Sequence, residues 1–136
     1  MNIREIAPRI LLYNEGDYEA CKEFYVKKLG LVMVYDVEGG YGSFAMKEGE
    51  PPCLAIFNAN GMSAIKGYKK SPATTHSDFV TLLIGTDDFQ RDYKTLKEAG
   101  VEFIGEPQFM EGWGGVTSVF FRDPVGTLLE LTDGNT

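Results

Sequence analysis

Residues 127–131, Thr-Leu-Leu-Glu-Leu, place one carboxylate inside an apolar run. A carboxylate among leucines must find a partner or stay protonated, because burial penalises its charge. Glu130 is therefore a candidate metal ligand, a contact for a bound molecule, or an edge-strand residue facing water. The chain has one histidine, His76, which lies in polar sequence and reads as a solvated loop residue. One histidine in a polar loop cannot build a serine-type nucleophile, base and acid. Phosphate-loop and dinucleotide fingerprints are absent. Cys21 and Cys53 are isolated thiols without zinc or redox spacing, so they read as small apolar residues. Trp113 is flanked by glycines in residues 112–115, a loop in which a large ring can swing over an opening.

The elements that must position these residues follow from periodicity. Residues 6–13 form a short apolar strand, and Asn14-Glu15-Gly16-Asp17 supplies turn and capping chemistry. Tyr18, Cys21, Phe24, Tyr25 and Leu29 recur at spacings of three and four, which makes residues 17–29 a helix that Gly30 closes in the left-handed region. Strands are expected over 31–37, 42–46 and 53–57. Residues 58–77 are polar and without period, and read as a linker or lid. The pattern then restarts. A strand over 79–84, the cap Thr86-Asp87-Asp88, a helix face of Phe89, Tyr93, Leu96 and Ala99 ended by Gly100, and strands over 101–104, 117–121 and 127–130 complete a second set.

Setting the halves side by side pairs Leu11 and Tyr13 with Leu82 and Ile84, Tyr18 with Phe89, and Gly30-Leu31 with Gly100-Val101. The fold class is thus α+β: tandem βαβββ modules, about 1–57 and about 78–136, forming curved mixed sheets around a cleft within one domain spanning 1–136. A ferredoxin-like βαββαβ sandwich ranks second because it leaves strands over.

The chain's 136 residues suit one domain with a sizeable core, and 43% hydrophobic with 24% charged content fits a globular protein. A net charge of −7 repels phosphate backbones, with Lys69 and Lys70 the nearest approach to a basic cluster, so neither nucleic acid nor anionic membrane is an expected partner. The same field attracts cations, although acidity also serves solubility. No run reaches membrane-span length and residues 1–8 lack a signal's apolar stretch, so the cytoplasm is the expected compartment.

The repeated βαβββ order resembles the vicinal oxygen chelate superfamily of glyoxalase I, ring-cleaving dioxygenases, and fosfomycin and bleomycin resistance proteins. The likeness is carried by Phe24-Tyr25 through Leu31, by residues 96–101 (Leu-Lys-Glu-Ala-Gly-Val), and above all by residues 121–131, Phe-Arg-Asp-Pro-Val-Gly-Thr-Leu-Leu-Glu-Leu. This last string is similar to the family's final hairpin, Asp-Pro-Asp-Gly-Asn before an apolar-Glu-apolar run. Pro124 presets the turn and Gly126 accepts its left-handed position. Val125 and Thr127 depart from the usual Asp and Asn, which weakens side-chain hydrogen bonding in the turn. Arg122 and Asp123 read as turn-surface charges.

The resemblance implies metal ligands early in each first strand and in each last strand. Those positions fall at about Pro8 and Phe79, with Arg9, Ile10 or Asp78 one or two residues away, and at Ala55 or Ile56 and Glu130. Only Glu130 keeps a family donor, and one carboxylate does not make a site. A set of His76, Asp78 and Glu130 is the remaining alternative. If Glu130 points into the cleft, alternation sends Leu128 and Thr132 with it and Leu129 and Leu131 toward the helix. Phe79, Phe57, Phe121 and Trp113 would then supply aromatic wall, against the alternative that Phe57 and Phe121 are core.

The expected function is metal-independent, cofactor-free binding of a small aromatic or cationic molecule, as in the bleomycin resistance proteins. A metal-dependent lyase, isomerase or dioxygenase and a non-catalytic interaction module are the alternatives. The resemblance further implies a homodimer.

Overall fold

The computed structural model describes residues 1, 2, 4–38, 40–69, 78 and 80–134, and for Ser63 the backbone only. The chain divides into two compact units, Met1–Pro72 and Ala73–Thr136. Each carries an open four-stranded mixed sheet, and the two sheets have the same strand order, which is the expected tandem βαβββ arrangement.

In the first unit, β1 (Arg9–Leu12), α1 (Asp17–Glu23), β2 (Val32–Val37), β3 (Tyr41–Ala45) and β4 (Leu54–Asn58) build a sheet in the order β1-β4-β3-β2. The parallel β1–β4 pair lies beside two antiparallel pairs. The Asp17 carboxylate accepts from the Asn14 N–H at 3.1 Å at the start of α1. The helix then widens into a π-helical stretch, Phe24–Lys28, in which the Leu29 N–H reaches the Phe24 carbonyl at 3.1 Å. Two consecutive aromatics of this stretch, Phe24 and Tyr25, are both buried. Gly30, with φ of 75°, ends the segment as expected.

Tyr25 packs on Phe44 with ring centroids 5.6 Å apart, and Leu12, Cys21 and Ile56 close the core. Each such fully buried large side chain contributes roughly 1.5–3 kcal/mol. Residues 59–64, within the segment read as a linker or lid, form a 3₁₀ turn, Ala59–Ala64, after the Asn58 side chain accepts from the Asn60 N–H at 2.9 Å.

In the second unit, β5 (Thr81–Gly85), α2 (Phe89–Glu98), β6 (Phe103–Met110), β7 (Val116–Arg122) and β8 (Leu128–Thr132) repeat the layout in the order β5-β8-β7-β6. The Asp88 carboxylate caps α2 by accepting from the Arg91 N–H at 3.1 Å, while Thr86 Oγ1 accepts from the Asp88 N–H at 3.0 Å. Leu82 and Ile84 pair with Leu129 and Leu131 on the helix-facing side. The matching β1 residues are Ile10 and Leu12, since Ile10 pairs with the fully buried Ile56; the side-by-side alignment with Leu11 and Tyr13 was thus one residue off.

Strand β6 also runs further than the sequence pattern indicates. It continues past Ile104 through a bulge at Gly105, whose φ is 73°, and through Pro107. As an edge strand it tolerates a proline that a central strand would not.

Candidate functional site

The final hairpin sets the geometry around Glu130. Asp123 N–H bonds the Thr127 carbonyl at 3.0 Å, and the Asp123 carboxylate accepts from the Val125 and Thr127 N–H groups at 3.0 and 2.8 Å. Asp123 is buried and holds the turn together; it is not the surface charge expected. It also supplies the side-chain hydrogen bonding that Val125 and Thr127 cannot. Arg122 donates to the Gly126 carbonyl at 2.8 Å and grips Asp78 through both guanidinium arms at 2.8 and 3.1 Å, a bond that holds Arg122 above its ordinary pKa.

This turn fixes the register in which Phe120 opposes Glu130, Phe121 opposes Leu129, and Ser118 opposes Thr132. Parity follows from that register. Leu129 and Leu131 face α2, as expected, and Glu130 faces away from it. Phe121 goes with Leu129: it is 0% exposed and packs edge-on against Phe103 at 5.5 Å, which in turn meets Tyr93 of α2 at 4.8 Å. The expectation that Phe121 lines a ligand wall is therefore corrected. Phe120, missed in the sequence, is the β7 aromatic on the Glu130 face, and the signal that could have found it was the turn register counted back from Glu130.

Glu130 is half-buried, and Ser118 Oγ donates to its Oε2 at 2.6 Å. Its neighbours on the same face are Leu83 of β5 and Phe120 of β7. Trp113, in a 3₁₀ turn (Glu111–Trp113) between β6 and β7, is 54% exposed and meets Phe120 edge-to-face at 6.3 Å. Gly114 and Gly115, with φ of 94° and 79°, make the left-handed turn that presents the indole. The two rings and Ile104, Gln108, Met110 and Ser118 enclose a shallow hollow of about 50 Å³, which Glu106 also borders. A space of that size admits a small group of a ligand rather than a whole drug-sized molecule. Glu130 and Trp113 thus share one unit and one open sheet face, joined through Ser118 and Phe120.

Phe57 belongs to the first unit, half-buried on the open face of its sheet, with its ring 6.0 Å from Tyr41. Phe79 and His76 lie outside the described residues.

A divalent ion is the group the resemblance implies, and the donor set tests it. Among the described residues no group of three or more His, Cys, Asp or Glu is arranged to hold one. Of the expected positions, Ala55 and Ile56 have no donor atom, Arg9 is a cation, and the Asp78 carboxylate is engaged at both oxygens by Arg122. Glu130 stands between Leu83 and Phe120 with a hydroxyl as its partner. These residues do not fit a divalent cation, which seeks several oxygen or nitrogen donors at once.

Among the described residues no helix is long and apolar enough to cross a membrane. The profile of the Glyoxalase/Bleomycin resistance protein/Dioxygenase superfamily matches residues 8–131. The chain is 31% identical to an uncharacterized protein, YurT, of Bacillus subtilis strain 168, over 85% of this chain and 89% of that one. A protein of unknown function from Agrobacterium tumefaciens C58 has the same fold, with a TM-score of 0.75 at 21% identity over 99% and 97% of the two chains. So does a glyoxalase/bleomycin resistance protein/dioxygenase from Nocardioides, with 0.69 at 23% identity over 97% and 85%. The matched profile spans both βαβββ units and ends on the Glu130 strand, and the chain belongs to the Glyoxalase/Bleomycin resistance protein/Dioxygenase superfamily.

Proposed function

We propose that this protein binds a small aromatic or cationic molecule without a metal ion, against the open face of its second sheet. The observation that carries this reading is the corner formed by the half-exposed Trp113 and Phe120, with the Ser118-anchored carboxylate of Glu130 beside it. Aromatic faces attract cations electrostatically, tryptophan most strongly, and a nearby carboxylate adds Coulombic attraction in a partly desolvated place. Ser118 keeps that carboxylate directed at the open face, so less is lost in ordering it when a ligand arrives. Phe79 is part of the same proposal as a further ring on the ligand.

The single tryptophan makes the test direct, because any change in indole fluorescence reports Trp113. Titration with N-methylquinolinium is expected to quench it saturably, with quinoline as the weaker neutral control. Glu130→Gln is expected to weaken the cation by about tenfold, the equivalent of about 1.4 kcal/mol, and to leave quinoline unchanged. Chelator treatment should alter neither titration. Uptake of one divalent ion per chain, with probe binding lost on chelation, would overturn the reading in favour of a metal-dependent enzyme. The homodimer implied by the resemblance is proposed with it, and light scattering of the purified protein at two concentrations checks it.

A further inference from the structure

The first unit carries a charge of opposite sign on the open face of its own sheet. The parallel pairing of β1 with β4 sets Arg9 beside Ala55, and the guanidinium lies over the ring of Tyr41 on β3, 5.4 Å from its centroid. To get there the side chain must pass over β4, and it can because that strand presents only a methyl group at position 55. Phe57 and Tyr35 meet Tyr41 edge-on at 6.0 and 6.3 Å, inclined to it by 68° and 66°, so the cation rests on one ring that two others buttress.

Two features leave this arginine open to a ligand. Arg91 and Arg122 are each held by aspartates, whereas no carboxylate of the described residues pairs with Arg9, in a chain with 20 acidic and 13 basic residues. Beside it, Ser43 opposes Ala55 on β3, is 4% exposed, and its hydroxyl bonds no described residue. Ser43 lies two residues along β3 from Tyr41 and so on the same face of the sheet. A recessed hydroxyl takes its hydrogen bond from whatever occupies the surface above it.

We propose that this face is a binding subsite for a planar organic monocarboxylate. Its aromatic part packs beside the Arg9–Tyr41 pair against the Phe57 ring, and its carboxylate takes two hydrogen bonds from the Arg9 fork and one from the Ser43 hydroxyl. The guanidinium geometry matches a carboxylate in two-point contact, and its position on the Tyr41 ring organises it before the ligand arrives. A single cation in a chain of net charge −7 favours a monoanion over a phosphate dianion, whose second charge would go uncompensated. The rings favour a flat molecule over an aliphatic acid. This inference stands on the first sheet alone and does not depend on the ligand proposed for Trp113.

Naphthalene-2-carboxylate is the probe, with naphthalene-2-carboxamide as its neutral isostere, titrated calorimetrically into the full-length protein at low and high salt. The carboxylate is expected to bind one per chain, about tenfold more tightly than the amide, and more weakly as salt rises. Arg9 is exposed, so Arg9→Gln should keep the parent thermal midpoint while losing about tenfold in carboxylate affinity. Arg9→Lys, which keeps the charge and loses the fork, should fall between the two. Glu130→Gln should leave carboxylate binding as it is, and Arg9→Gln should leave the Trp113 cation response as it is, so the two sites fail separately. Equal affinity for acid and amide, or an Arg9→Gln protein that binds the acid as well as the parent, would overturn the inference.

Discussion

Ser118 and Glu130 are diagonal neighbours on β7 and β8, each opposite a different residue, yet the serine hydroxyl donates to the glutamate Oε2 at 2.6 Å. The bond spans two rows of the sheet and gives a half-buried carboxylate a fixed partner. Hydrogen bonds to charged groups are worth roughly 1.5–3 kcal/mol, so Ser118→Ala should lower unfolding free energy by about 1–2 kcal/mol in urea. Glu130→Gln keeps an acceptor oxygen and should cost less. A Ser118→Ala protein as stable as the parent would show that water replaces the hydroxyl without loss.

Phe121 and Trp113 should respond to truncation in opposite ways. Phe121→Ala empties a fully enclosed position between Phe103 and the helix-facing leucines, and is expected to cost about 3–5 kcal/mol. Trp113→Ala removes a half-exposed ring and should shift stability by no more than about 0.5 kcal/mol while abolishing quinolinium binding measured calorimetrically. A large stability loss at Trp113 with an unchanged ligand profile would instead favour the interaction-module reading.

Gly42 is required by space rather than by backbone angle. A Cβ there would stand 2.8 Å from Met33 Cε, 2.9 Å from the Tyr18 hydroxyl and 3.4 Å from Ile56 Cγ1. The methionine end can swing away, but the tyrosine is held by Asp36 and by the Tyr41 carbonyl at 3.1 Å. Gly42→Ala should therefore cost about 1–3 kcal/mol through overpacking. Tyr18→Phe in the same background should relieve part of it, which a double-mutant cycle measures.

Asp36 gives the chain an acid-sensitive contact. The Lys22 ammonium at 2.7 Å, and then the Tyr18 hydroxyl, hold its carboxyl below the ordinary aspartate value. A depressed pKa means the folded state binds the proton less readily than the unfolded chain. Its stabilisation is complete above the unfolded value, about 3.9, and disappears as pH falls through the folded one. Urea midpoints should therefore decline below about pH 4, and Asp36→Asn should make that decline shallower. An unchanged slope would show that other carboxylates govern it.

The order of elements was legible because each half states it by local rules: a threefold and fourfold helix face, a left-handed glycine at Gly30 and Gly100, and alternating strands. Glu130's orientation was legible for the same reason, since three leucines around one acid define which face is which. What escaped were features set by exact counting or by pairing. The Phe120–Glu130 opposition depends on the length of the turn at Asp123, and a shift of one residue exchanges Phe120 for Phe121. Ser118 gives no signal until its strand is paired with β8. The π-helical stretch at Phe24–Lys28 hides because its aromatics also satisfy a helical period, and β6 hides because Gly105 and Pro107 imitate a loop.

That disguise has a physical result. Pro107 offers no N–H, and the bulge around Gly105 breaks the even spacing of hydrogen-bonding groups along the edge strand β6. A foreign strand laid along this border would find an interrupted ladder and could not extend the sheet into a fibre. The border can therefore remain uncovered in a crowded solution without seeding aggregation.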